Sequence, residues 1–146
     1  MKPLPATNGQ TYTGACHCKA VSFSITGPLY PIVACHCTDC LRTAGFTWAA
    51  TKFVTTQLTI LTGREVIDWY ATSDIAKRGF CSTCHAQIFY RENDSQVTSV
   101  SPGMLDRLDG LETAGHIFRS SMPNCCQNIE NLPDIDRKFY DEKPMG

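Results

Sequence analysis

The chain has 146 residues, a formal net charge of −1, 42% hydrophobic and 18% charged residues. That length suits one domain able to bury a core, and the composition excludes a disordered chain. The near-neutral charge argues against a broad electrostatic surface for nucleic acid or anionic membrane.

Residues 1–10 read as an N-terminal arm, broken by Pro3, Pro5 and Gly9. "AVSFSIT" then alternates, with Val21, Phe23 and Ile25 against Ser22 and Ser24, the pattern of a half-buried strand. "GPLYP" reads as a turn. After a cysteine cluster at 35–40, "LRTAG" predicts a short helical turn capped by Gly45. Strand-like runs follow: "FTWAATKFV", "QLTIL", "VIDWYAT", "AQIFYRE" and "QVTSVS". "PGMLDRLDGLE" holds one short helical turn, and "HIFRS" reads as a last strand. These readings give a β domain over 11–122 and an extended tail over 123–146, packed on it. No stretch approaches the roughly 18 apolar residues of a membrane-spanning helix.

Nine cysteines are many for this length. They imply either disulfides in an oxidising compartment or metal ligands in a reducing one. The count is odd, and "MKPLPATNGQTYTG" lacks the apolar run of a signal peptide. A cytoplasmic protein with metal-ligating cysteines is the expectation. Oligomeric state is left open, with a homodimer among the options.

Seven cysteines fall into three groups: Cys16 and Cys18, then Cys35, Cys37 and Cys40, then Cys81 and Cys84. In extended chain, residues i and i+2 point to one side, so Cys16 and Cys18 can aim at one point. A C-x-x-C turn does the same for Cys81 and Cys84. The two pairs together make a closed tetrahedral site of the structural kind. It would staple segments about 65 residues apart, a closure that the chain alone resists. Structural zinc offsets such costs with apparent binding of about 10–16 kcal/mol in zinc-finger peptides. Cys35, Cys37 and Cys40 remain as a local tripod. Three protein ligands and one exchangeable position characterise catalytic zinc. Spacing alone leaves open whether His36, Asp39, His85, His116, Cys125 or Cys126 closes the site. H-E-x-x-H and the H-x-E with P-C-x-x-C of the zinc deaminases are absent, as are a dinucleotide fingerprint and a P-loop.

"GACHCKAVSFSI", "ACHCTDCLRTAG", "KRGFCSTCHAQIFY" and "GHIF" occur in an order that resembles the glutathione-dependent formaldehyde-activating enzyme family. The resemblance covers about residues 12–120. It implies a mainly β fold of several short coiled antiparallel sheets stapled by zinc. That fold is similar to small Rab-binding zinc proteins and type-B methionine sulfoxide reductases. It also implies two zinc ions per chain: a structural one on Cys16, Cys18, Cys81 and Cys84, and a functional one on Cys35, Cys37 and Cys40. The implied activity is that of a carbon–sulfur lyase, with glutathione as co-substrate and formaldehyde or another small aldehyde as partner. The alternatives are a non-catalytic zinc-stabilised binding module and a thiol redox protein using Cys125 and Cys126. Three departures stand out. The family usually has Gly where this chain has Lys19 and His85, and it commonly has Trp after "HIF".

Single residues carry weaker expectations. His17 and His36 sit between ligands and should point away from the metal. His85 reads as a loop residue and His116 as a structural one. Arg42, Lys77 and Arg78 read first as solvated charges. A glutathione site needs carboxylate donors, however, and Arg42 lies two residues past Cys40 with a forked guanidinium suited to that task.

Overall fold

The computed structural model describes residues 1–134. Ten strands form two sheets. β1 (Thr11–Ala15), β2 (Ser22–Thr26) and β5 (Leu58–Thr62) make a three-stranded antiparallel sheet in the order β1-β2-β5. The second sheet runs β10-β3-β4-β9-β8-β7-β6. Its members are β3 (Ile32–Cys35), β4 (Trp48–Val54), β6 (Ile67–Ala71), β7 (Ala76–Cys81), β8 (Gln87–Glu92), β9 (Val97–Val100) and β10 (Thr113–Ile117). Neighbours are antiparallel except β10 with β3, which run parallel. One helix, α1 (Thr38–Ala44), follows β3. The chain is mainly β, as its sequence predicts, and no helix among the described residues is long and apolar enough to cross a membrane.

The core lies between the two sheets. Phe23 and Ile25 of β2 are fully buried while Ser22 and Ser24 are half-buried, the alternation expected of a strand with one wet face. Phe23 meets Phe89 of β8 edge-on, ring centroids 5.1 Å apart. Tyr12, Val21, Leu29, Phe53, Cys81, Ile88 and Val100 complete this fully buried set. Gly14 of β1 leaves room for that packing: a Cβ there would lie 2.6 Å from the Phe23 ring. α1 ends as its sequence suggests, with Gly45 left-handed at φ 78.

Six segments differ from the sequence reading. β1, β3 and β7 are strands where no strand is predicted. The predicted strand "HIFRS" is displaced: β10 ends at Ile117, because Phe118 turns left-handed at φ 55. In the N-terminal arm, Pro5–Thr7 form a 3-10 turn. Thr7 is buried there, its Oγ1 donating to the Leu4 carbonyl at 2.6 Å and accepting from the Leu29 N–H at 2.8 Å. Asn124–Cys126 and Ile129–Asn131 form 3-10 turns at the start of the predicted tail, whose remaining residues 135–146 lie outside the described residues.

Candidate functional site

The sheets bring the cysteines into two clusters. Cys16 and Cys18 follow β1, Cys81 ends β7, and Cys84 lies in the turn to β8. All four Sγ atoms lie within 4.8 Å of one another. Cys16 Sγ is 3.6 Å from Cys18 Sγ, which is 3.8 Å from Cys81 Sγ. A tetrahedron with zinc–sulfur bonds of about 2.3 Å has edges of about 3.8 Å, so the donor set fits zinc.

The two turns are built alike. Lys19 (φ 64) follows the first pair and His85 (φ 61) the second, both left-handed. Glycine at either position would adopt that backbone without steric cost. The turn at Lys19 lets the Val21 N–H reach Cys16 Sγ at 3.3 Å. The N–H groups of Ala86 and Cys18 aim at Cys84 and hold its thiol down at about 6. At Cys18 the Ala20 N–H favours the thiolate, but desolvation and three neighbouring thiols push the group up to about 11. Four crowded thiols cannot all ionise without a cation between them. Metal binding resolves that conflict by displacing their protons.

The second cluster is local. Cys35 ends β3, Cys37 caps α1 with its Sγ accepting from the Cys40 N–H at 3.4 Å, and Cys40 lies in the first turn of α1. Their sulfurs also lie within 4.8 Å of one another, and no fourth His, Cys, Asp or Glu joins them among the described residues. Burial holds the Cys35 thiol up and pushes Cys40 up to about 12. At Cys37, desolvation is outweighed by the N–H groups of Cys40 and Asp39 and by the neighbouring thiols, so this thiol is held down.

None of the other named candidates among the described residues places a ligand atom with this tripod. His36 is buried but turned away, with Nε2 2.8 Å from His116 Nδ1 and Nδ1 3.1 Å from Thr47 Oγ1. Burial, then the charges of His116 and Arg119, keep His36 below its ordinary value and favour a neutral ring. His17 and His85 are exposed. Cys125 and Cys126 are 3.9 Å apart at sulfur, and Cys126 lines a separate cavity of about 180 Å³ with His36 and His116. Arg42 is exposed on α1 and is not among the residues lining the main cleft.

That cleft opens beside the tripod and holds about 420 Å³. Val33, Trp48, Ala50 and Tyr90 supply its apolar and aromatic wall, and Asp39, Glu92 and Arg78 its charges. Arg78 corrects the reading of this residue as a solvated charge, since it is only 2% exposed. Its Nη2 donates to Cys40 Sγ at 3.3 Å. Its guanidinium carbon lies 5.2 Å from the Trp48 ring centre and 5.0 Å from that of Tyr90. Gln87, with its amide oxygen turned towards these donors, accepts from Arg78 Nη1 at 2.9 Å and from Trp48 Nε1 at 3.1 Å. Arg78 Nε has no partner, and the single ion pair among the described residues joins Arg107 to Asp109 instead. A buried guanidinium without a carboxylate is costly unless another anion answers it. The anion in reach is sulfur. Three thiolates on Zn²⁺ sum to −1, and Arg78 makes the site neutral. The tripod therefore fits a divalent metal, and Arg78 and Gln87 are functional candidates that sequence reasoning missed.

The family whose profile matches residues 11–121 is described as glutathione-dependent formaldehyde-activating enzyme. The fold is similar to the crystal structure of a Rhodobacter sphaeroides protein, with a TM-score of 0.59 and 22% identity over 72% of this chain and 99% of that one.

Proposed function

From the chain's membership of the glutathione-dependent formaldehyde-activating enzyme family, we propose that it is a zinc-dependent carbon–sulfur lyase. Its substrates would be adducts of glutathione, or a related thiol, with a small aldehyde. Cys16, Cys18, Cys81 and Cys84 would hold a structural zinc, and Cys35, Cys37 and Cys40 a functional one. Zinc at the tripod would supply an acceptor for the substrate sulfur and favour its thiolate near neutral pH. The remaining work belongs to the chain. Arg78 offsets the negative charge gathered at the sulfurs. Trp48 and Tyr90 both pack against its guanidinium, so little reorganisation is needed when a substrate arrives. The cleft walls keep the adduct's carbon beside the sulfur, and proximity supplies much of the acceleration.

In the forward direction the thiolate adds to the aldehyde carbon. A carbon–sulfur bond forms, the carbonyl π pair moves to oxygen, and the oxygen takes a proton from solvent. Cleavage is the reverse, with the electron pair returning to sulfur. Arg42, on the exposed face of α1, is the proposed contact for a glutathione carboxylate. Nine cysteines without a disulfide among them suit a reducing compartment, and we place the protein in the cytoplasm.

The observation that carries this reading is the convergence of three sulfurs and a buried, carboxylate-free arginine beside a ligand-sized cleft. Calorimetry with glutathione tests it, alongside a turnover assay with glutathione and formaldehyde. Binding should weaken in Arg42→Ala and vanish when mild chelation removes the more labile zinc. Binding and turnover that survive that removal would refute the assignment. Zinc-dependent binding without turnover would make the protein a binding module.

A further inference from the structure

A formaldehyde adduct carries one carbon on sulfur, and one carbon needs little room. The cleft beside Cys35, Cys37 and Cys40 holds about 420 Å³, within the range of pockets that enclose whole small molecules. Two apolar side chains stand at this cleft from separate segments. Ile75 is 69% exposed and Phe118 is 61% exposed. A single exposed apolar residue means little. Two that line one cleft with an aromatic wall add to a shared apolar lining.

Both residues are held in place. Ile75 sits in the turn between β6 and β7. Asn93 fastens that turn, its N–H donating to the Ile75 carbonyl at 2.9 Å and its Nδ2 to the Asp74 carbonyl at 2.8 Å. Phe118 adopts φ 55, an uncommon conformation for a bulky residue. The turn that follows retains it, with the Ser121 N–H donating to the Phe118 carbonyl at 3.0 Å. Strain of this kind persists where the surroundings enforce it, and it collects at ligand sites. The cleft's charges point the same way. Arg78 is engaged by Cys40 and Gln87, and the other charged residues that line the space are Asp39 and Glu92, the latter accepting from the Tyr90 hydroxyl at 3.5 Å. An anionic substituent is repelled there, and an uncharged apolar one is not.

We infer that the carbon group on sulfur comes from an apolar aldehyde of several carbons, aliphatic or aromatic, lying along Ile75 and Phe118. Formaldehyde is then the weakly bound end of the range. The inference rests on the reading of this cleft as a thiol-adduct site. The chemistry balances as before. The hemithioacetal carbon–sulfur bond breaks, its electron pair stays on sulfur, and the hydroxyl proton leaves to water as the carbonyl forms. No oxidant or reductant is needed.

The test is calorimetric titration of the zinc-loaded full chain with glutathione and with its S-methyl, S-butyl, S-hexyl and S-carboxymethyl conjugates. Affinity should rise about two- to fourfold per added methylene from methyl to hexyl, the range that partial to full methylene burial gives. The S-carboxymethyl conjugate should bind more weakly than the S-methyl one. The rise should flatten in the double variant Ile75→Ser/Phe118→Asn, where Asn is chosen because it accepts positive φ. A flat series in the unaltered protein, with glutathione still bound, overturns the inference and leaves the thiol-adduct reading standing. Failure of glutathione and every conjugate to bind overturns both.

Discussion

Replacing one cysteine in each cluster by serine separates the two proposed metals by what each would hold together. Cys81 is fully buried, and its sulfur meets that of Cys18 across a sequence separation of 63 residues. Treating a shared metal as a cross-link, closure of a 63-residue loop is worth about 4 kcal/mol of chain entropy. The tripod closes only the five-residue step from Cys35 to Cys40, worth about 2 kcal/mol by the same relation. Serine at 37 keeps an oxygen where Cys37 Sγ now accepts from the Cys40 N–H, so the helix cap survives and only the metal contribution is lost. For 146 residues the unfolding entropy is about 0.3 kcal/mol/K. Cys81→Ser should therefore lower Tm by roughly 13 °C and Cys37→Ser by about 6 °C or less. Thermal melting by far-UV circular dichroism, beside turnover with glutathione and formaldehyde, measures both. Cys37→Ser should abolish turnover and keep its fold at room temperature. If it melts as early as Cys81→Ser, the tripod is also a structural site, and the division of labour is wrong.

Acid should empty the tripod before the staple. Two of its three thiols are held up, Cys40 to about 12, whereas in the four-cysteine cluster Cys18 is held up to about 11 but Cys81 and Cys84 are held down, the latter to about 6. Zinc must displace the protons of raised thiols, so its affinity falls as pH falls, and more steeply where more protons are displaced. Stepping from pH 8 to pH 5.5 with a zinc-responsive dye should show one equivalent released first. Simultaneous release of both would contradict the ordering. Lys19→Gly and His85→Gly should each raise Tm by about 1 to 3 °C, because relief of left-handed strain exceeds the entropy that glycine adds to the unfolded chain. A lowered Tm in both would mean that the side chains make stabilising contacts that outweigh the strain.

The legible part of this protein was its local chemistry. The alternation in "AVSFSIT" marks β2 because one face meets water. Gly45 marks the end of α1 because only a left-handed residue closes that helix, and the cysteine spacings mark the clusters because each turn is short. What escaped is non-local. β7 carries Lys77, Arg78 and Gly79 at its centre, a poor strand by composition. It is a strand because β6 and β8 flank it and because Arg78 meets a sulfur 38 residues away. No window along the chain contains that partner. β3 lacks alternation because neither of its faces is fully wet, Ile32, Val33 and Ala34 all being half-buried. The end of β10 depends on Phe118, whose left-handed turn has no glycine or asparagine to announce it.

β7 also joins the two clusters physically. It spans six residues, with Arg78 against Cys40 and Cys81 at its final position. The separation of three positions is about 10 Å of extended chain. Arg78 lies opposite Tyr90 of β8 and Cys81 opposite Ile67 of β6, with a register shift against β8 between Gly79 and Phe80. The strand ends in one cluster and, three residues earlier, touches the other. A metal held by Cys81 would then bear on the cleft as well as on the fold, through the three residues that separate it from the guanidinium beside the tripod.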